Sequence, residues 1–430
     1  MSLNEKQQQF FDMAMNGKNL FITGSAGVGK SYLVNAIIKA FEAQKKRVIV
    51  CATTGVAARN IGGYTLHHQF HINVATERVD SKKNGRLEKT DLIVIDEISM
   101  LSFHLFDRIG KEIEAHNPKC QLIVVGDFFQ LPPIIGKTTL ARLKANGYNV
   151  NEDNCHCFHA VYWQKFNFQT CVLTEAMRQD DQAFSDVLYN LSHNEIRKQD
   201  LAYVRDNRRS KPITDDDAIT LGCTNAFVNG KNAEELAKIK GEEYHLRAKK
   251  WGDYDKNAVE EELVLKVGAK VMLLVNNLKA GYCNGDIGFI RSIDEDEIVV
   301  ELTTGDTVIV EPYKFATMVF EGEKPRCLGY ITQFPLRLAW AITVHKSQGQ
   351  TYNKVNFFFD RGFSRKDDPN PPVNLTLLYV GMSRCRSVKD LFLRQQTNPI
   401  FCNQEIVDFY NGKYETYYSK REKDDLLLSF

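Results

Sequence analysis

Along the first part of the chain, short apolar runs alternate with segments whose apolar residues recur at helical spacing. Leu20, Phe21 and Ile22 form one run; a glycine-rich turn follows, and then SYLVNAIIKAFEAQ puts Leu33, Val34, Ile37, Ile38 and Phe41 on one helical face. RVIVCATT (47–54), DLIVIDE (91–97) and QLIVVGD (121–127) repeat the strand pattern and end in polar or acidic residues. Such alternation predicts a parallel sheet flanked by helices, with ligands at the carboxyl ends of the strands. Ahead of it, LNEKQQQFFDMAM places Leu3, Phe10, Phe11 and Met15 on an amphipathic helix with Asn4 as its N-cap.

This first lobe closes near Lys165, and a second α/β lobe starts at FQTCVLTEAMRQ. There AITLGCTNAFVNGKNAEEL (218–236) repeats strand then helix, with Thr224 and Asn225 at the switch. Between about Trp251 and Phe320 the texture becomes β-rich: AKVMLLVN, GDIGFIRSI, EIVVELTT and DTVIVEPY, separated by turns such as Asn284-Gly285 and Thr304-Gly305. That is the pattern of a small barrel inserted into the second lobe. LAWAITVHKSQGQTYNKVNFFFD and NLTLLYVGMSRCRSVKDLFLR resume the lobe, and a short amphipathic tail follows Arg394. From His71 to Thr90 the chain is polar and carries SKKNGR, which reads either as a surface loop or as a basic pin at a duplex junction.

Composition narrows the class without choosing a partner. The 430 residues are 43% hydrophobic, enough for two or three domains with real cores. Lys+Arg (55) and Asp+Glu (54) nearly cancel, so a polyanion must be held by a local groove rather than by bulk charge. The longest apolar runs, LIVI before Asp96 and LIVV before Gly126, are too short to span a bilayer. Functional-looking sequence starts at Leu3, so the expectation is a cytoplasmic protein without signal or transit peptide. Several of the ten cysteines (Cys51, Cys171, Cys223) sit in apolar strands, against a disulfide framework. Cys155, His156, Cys157 and His159 lack a spaced second pair and read as a plain loop rather than a zinc site.

The chemistry is concentrated in a few stretches. Gly24, Ser25, Ala26, Gly27, Val28, Gly29, Lys30 and Ser31 spell G-x-x-x-x-G-K-[ST], with Tyr32 following, in strand–turn–helix context. Backbone N–H groups of this turn curl around a polyphosphate, the helix start adds partial positive charge, Lys30 reaches the outer phosphates and Ser31 ligates Mg²⁺. Asp96 and Glu97 end an apolar strand, suited to holding hydrated Mg²⁺ and to taking a proton from the attacking water. In GDFFQLPP, Gln130 can sense a γ-phosphate, and the rigid Pro132–Pro133 pair can couple that contact to a neighbouring groove. Gln7, beside the phosphate loop, can read an adenine edge. Arg384 can bring positive charge to a transferring phosphoryl group, and Thr343, His345, Ser347 and Gln348 can bridge phosphates of two ligands. Thr53, Thr54 and Gly55 end a strand where a sugar–phosphate chain could rest, and Phe70 could stack a base, though each has an equally good structural reading. His67 and His68 read by themselves as cap or packing residues.

Taken in order, Gln7, GSAGVGKS, TTGVAA, VIDEISML, GDFFQLPP, LTEAMR, TVHKSQGQT and YVGMSRCR resemble superfamily I helicases. Within them the pattern is similar to the B branch, the petite-integration-frequency (PIF) type with its RecD-like and Dda-like relatives, over roughly residues 3 to 394. The resemblance implies an α/β fold of two RecA-like P-loop lobes with parallel sheets, a small wedge insertion in the first and an SH3-like β-barrel in the second. Boundaries on this reading are 1–65 and 91–167 for the first lobe, 66–90 for the wedge, 168–250 and 326–400 for the second lobe, 251–325 for the barrel and 401–430 for the tail. It implies ATP and Mg²⁺ in the cleft, single-stranded DNA across the top, and 5′-to-3′ travel that unwinds tailed, forked or structured duplexes. By motif, Gln7 would read adenine, Arg178 and Arg384 would be fingers and Gly349 would lie at the nucleotide. Thr54, Gly55, His67, Phe70, Pro132, Asn225, Thr343, His345 and Lys346 would line the DNA track. A monomer in solution, able to dimerise on DNA, is expected, with no membrane partner. The glycine-rich run of the eukaryotic PIF signature is missing, and Gly381 and Cys385 vary the last motif, which favours a bacterial or phage-type member. A nucleotide-switched binding module, an RNA helicase and a helicase of opposite polarity stay open as rivals.

Overall fold

The computed structural model describes residues 3–72, 77, 79–81, 84–151, 154–175, 181–193, 195–254, 258–277, 279–321, 324–359, 373–394, 400–401 and 404–417. The first lobe is built on a parallel six-stranded sheet in the order Tyr64–Thr65, Val48–Ala52, Leu92–Asp96, Gln121–Val125, Leu20–Thr23 and Gln169–Val172. Its strands alternate between two buried faces. Leu20, Ile22, Leu92, Val94, Ile123 and Val125 join Leu33, Val34, Ile37, Ile38 and Phe41 of the helix Lys30–Ala43, while Phe21, Ile93, Ile95, Leu122 and Val124 face the helix Phe103–His116. Burial on both faces is why these strands are nearly continuous apolar runs.

Two expected boundaries move. The strand Gln169–Val172, taken from the sequence as the start of the second lobe, pairs in parallel with Leu20–Thr23 and completes the first sheet. Asn167, left-handed at φ 48, caps the helix Val161–Phe166 and turns the chain back onto the same sheet. The β-rich insertion is also longer than 251–325. It opens at Tyr244–Arg247, which pairs with Glu262–Leu265, and closes at Leu336–Leu338, which pairs with Lys270–Leu273. Its centre is an antiparallel five-stranded sheet, Thr307–Val310, Ile298–Leu302, Ile287–Ile293, Lys270–Leu273 and Leu336–Leu338. Lys249–Gly252 joins the hairpin Tyr313–Glu321/Lys324–Gln333 in a three-stranded sheet.

The second lobe carries a parallel sheet in the order Ala341–Thr343, Ala218–Gly222, Lys354–Phe358 and Leu391–Arg394. One hydrophobic cluster runs through both lobes, from Phe21 and Phe128 to Leu221, Phe357 and Tyr379. The chain end adds to it. The helix Gln404–Tyr410 returns to the first lobe and sets Phe409 against Phe158 (centroids 4.3 Å apart), Phe128 (5.0 Å) and Phe21 (5.9 Å). Among the described residues no helix is long and apolar enough to cross a membrane.

Candidate nucleotide cleft and nucleic-acid track

Gly24 opens the phosphate loop at φ +141, and a Cβ there would lie 2.3 Å from the Leu173 carbonyl oxygen. Only glycine fits that approach. Gly29, left-handed at φ 82, is the N-cap of the helix Lys30–Ala43, so the loop's amides gather at a helix start. The half-buried Lys30 donates through its ammonium to the Gly24 and Ser25 carbonyls at 2.6 and 3.0 Å. Burial lowers its pKa, against attraction from Asp127, Glu97 and Asp96. Ser25 and Val28 are buried, Ala26 and Gly27 half-buried, Ser31 exposed and Tyr32 half-buried. Gln7 is fully buried beside this turn: with Asn4 it forms a reciprocal capping box, and its Nε2 reaches the Gly29 carbonyl at 3.5 Å.

Asp96 ends the strand Leu92–Asp96, and its Oδ1 accepts the Glu97 N–H at 2.9 Å. Burial, then the neighbouring Glu97 charge, raises the Asp96 pKa to about 7. Glu97 has left-handed backbone, φ 54, a conformation uncommon outside glycine. Its Oε2 accepts from Gln348 Nε2 of the second lobe at 3.3 Å. Gln130 is buried and its Oε1 has no hydrogen-bond partner, as is also true of Gln348 Oε1.

From the second lobe comes Arg384, just past the helix Leu375–Ser383. Its guanidinium donates to the carbonyls of Val380 (2.9 Å), Gln350 (3.0 Å) and Ser347 (3.4 Å) and to Ser383 Oγ (2.8 Å). Burial lowers its pKa, and Glu97 is its strongest opposing charge. Gly349, at φ +75, lies next to Glu97 and Ala57. Arg178 lies outside the described residues. Sequence reasoning missed Tyr379 and Asp127, whose side chains meet across the lobes at 2.8 Å while the Ala26 N–H donates to the tyrosine oxygen at 2.9 Å. The signal was present: Tyr379 shares its motif with Arg384.

Of the proposed track, Thr54 Oγ1 accepts the Ala57 N–H at 3.2 Å, and Gly55 starts the helix Gly55–Asn60 beside Asn276 of the barrel. Asn225 is exposed on the first turn of Asn225–Lys238, and Lys346 is exposed. His67, Pro132 and His345 are half-buried, with burial lowering the pKa of both imidazoles, and Thr343 is buried at the end of its strand. Phe70 needs correcting. Its ring is 0% exposed and packed in the first-lobe core, so it is not a stacking surface; Tyr64, 54% exposed and stacked on His68 at 4.9 Å, is the aromatic that faces out. In the 66–90 insertion, Leu66–Gln69 and the turn Gly85–Lys89 are anchored by Arg86 to the Gln69 carbonyl and by Asn84 to the Phe70 carbonyl. Lys82 and Lys83 of the expected basic pin lie outside the described residues. In the cysteine–histidine loop, His159 binds Glu405 at 2.7 Å and Cys157 Sγ points to the Ile98 carbonyl at 3.6 Å.

Comparison with known proteins sets this geometry in a family. Residues 2–200 match the model of the PIF1-like helicase family, and residues 255–292 match that of the DNA helicase Pif1 2B domain. An ATP-dependent DNA helicase Pif1 of Campylobacter jejuni is 30% identical over 82% of this chain and 87% of its own length. Among solved structures, a Bacteroides Pif1 helicase in complex with ADP-AlF3 and ssDNA is 29% identical, covering 98% of this chain and all of its own (100%), with a TM-score of 0.78. Unliganded Pif1 from Bacteroides, 30% identical over 98% of this chain and 100% of its own, superposes less well, at 0.60. A relative 30% identical over most of both chains, together with the two family models, settles the membership: this chain belongs to the PIF1-like helicase family.

Proposed function

We propose that this protein is an ATP-dependent DNA helicase that moves along single-stranded DNA 5′ to 3′ and separates the strands of tailed or forked duplexes. The observation that carries the reading is the cleft. Lys30, Asp96 and Glu97 of one lobe meet Gln348 and Arg384 of the other, with a 3.3 Å hydrogen bond between Glu97 and Gln348 across the gap. A relative's complex with ADP-AlF3 and ssDNA, in an arrangement close to this one, supports the ligands. Within the cleft, the phosphate-loop amides and Lys30 bind the polyphosphate, Glu97 takes a proton from water, Gln130 orients that water, and Arg384 adds positive charge from the opposite lobe. By the family resemblance Gln7 would contact the base.

The donor set fits Mg²⁺. Asp96 is a half-buried carboxylate whose pKa is raised by burial first and by the neighbouring Glu97 charge second, and Ser31 stands exposed at the first turn of the phosphate-loop helix. These two residues would hold the ion, which when bound neutralises phosphate charge. Thr54, Gly55, Asn225, Thr343, His345 and Lys346, with Tyr64 and His68, would make up the DNA track. Each lobe gripping the strand with different strength as the cleft opens and closes yields directional stepping.

Duplexes bearing a single 5′ or 3′ tail test the reading. Unwinding of the 5′-tailed substrate, with ATPase stimulated by single-stranded DNA and abolished in Lys30→Ala, is expected. Unwinding of the 3′-tailed duplex alone overturns the polarity, and ATP use indifferent to DNA overturns the motor.

A further inference from the structure

Tyr379 is completely buried on the second-lobe helix Leu375–Ser383, yet its hydroxyl makes both of its hydrogen bonds to the first lobe. It donates to Asp127 Oδ2 at 2.8 Å and accepts the Ala26 N–H at 2.9 Å. Asp127 is itself buried, with its other oxygen accepting the Phe129 N–H at 3.0 Å, and its charge is the strongest pull on Lys30. The carboxylate can only accept, so the tyrosine proton is committed to it and the tyrosine lone pair is what meets Ala26.

Ala26 is the third residue of the phosphate-loop pattern, and its N–H belongs to the set of amides that such a loop turns on a polyphosphate. One N–H makes one strong hydrogen bond. The bond to Tyr379 and a bond to phosphate at this amide therefore exclude each other, although both hold it in the same cleft.

We propose that Tyr379 is a positioning residue of the nucleotide cleft, whose hydroxyl, carried by the second lobe, competes with phosphate for the Ala26 amide. The proposal rests on the reading of this cleft as an ATP site and extends it. When a terminal phosphate takes the amide, Tyr379 retains only Asp127; when the phosphate leaves, the hydroxyl recaptures Ala26 and holds the lobes in register. Phosphate release is thus coupled to a lobe-to-lobe contact through a single hydrogen-bond donor.

Tyr379→Phe in the full chain removes the competitor and keeps the ring. Fluorescent ADP and a non-hydrolysable ATP analogue, titrated without DNA, measure the effect. The variant should bind the triphosphate analogue roughly three- to tenfold more tightly than wild type, the worth of one competing hydrogen bond, with a smaller gain for ADP and none for AMP. Tyr410→Phe, which removes the hydroxyl of a half-buried tyrosine bonded to Thr23 and the Phe128 N–H but not to Ala26, should show no gain. Unchanged or weaker binding in Tyr379→Phe, or a gain equal for all three nucleotides, overturns the proposal. Hydrogen exchange of the phosphate-loop peptide gives a second measurement: without nucleotide it should exchange faster in Tyr379→Phe than in wild type, and the gap should close on adding the analogue. Equal exchange overturns the proposal too. Wild type that neither binds nor hydrolyses ATP would instead remove the underlying reading, so the two failures are distinct.

Discussion

At Glu97 the chain accepts a left-handed backbone, a cost of about 1–2 kcal/mol for a residue with a Cβ, and the carboxylate is thereby aimed across the cleft to Gln348. Strain of this kind persists where the surroundings fix it. A second costly residue lies away from the cleft: His156 is fully buried, stacked on Phe158 at 5.1 Å, and neither ring nitrogen has a hydrogen-bond partner. Burial, then the nearby His159, lowers its pKa from 6.5 to about 4, with Glu405 pulling the other way. Stability from this group is therefore complete above 6.5 and is lost as pH falls toward 4, because the unfolded chain takes up a proton that the folded one refuses. His156→Leu should flatten the fall of melting temperature between these limits, by about 1.4 kcal/mol per pH unit of the titration removed. Equal slopes in variant and wild type would show that the imidazole is not held neutral. Lys30, Asp96 and Glu97 were legible because a fixed spacing carries their chemistry. Phe70 was not, since whether an aromatic faces a base or the core depends on what the 66–90 insertion lays over it.

Single elements show the same division. The helices Glu5–Met15 and Lys30–Ala43 and the four long first-lobe strands follow directly from apolar periodicity and from the Asn4 cap. The strands Tyr244–Arg247 and Lys249–Gly252 do not, because partly or wholly exposed residues fill them and nothing apolar marks their period. The helix Gln404–Tyr410 was read as part of a tail for a related reason: seven residues are too few to display a face. Its position gives it weight. Phe409 packs among Phe21, Phe128, Phe158 and Trp163, and Tyr410 lies flat on Phe129 at 5.1 Å, next to the loop that bears Gln130. Phe409→Ala should cost about 3–5 kcal/mol, read as a lowered midpoint in denaturant. A loss under about 1 kcal/mol would mean that the docking is superficial.

For the molecule as a whole, the decisive contacts cross between lobes. Arg384 is clamped by four acceptors of its own lobe, and Glu97 of the other lobe is its strongest opposing charge. Arg384→Ala should lower DNA-stimulated turnover by about a thousandfold while shifting nucleotide affinity far less; an equal loss in both would make it a binding group instead. Sequence alone did not reveal the path of the chain between these bodies. It crosses to the second lobe between Leu173 and Asp181 and, because Gln404–Tyr410 docks where Phe21 and Thr23 lie, it crosses back after Arg394. With both crossings intact the two lobes stay joined by two separate stretches of chain, so severing either one leaves them tethered by the other.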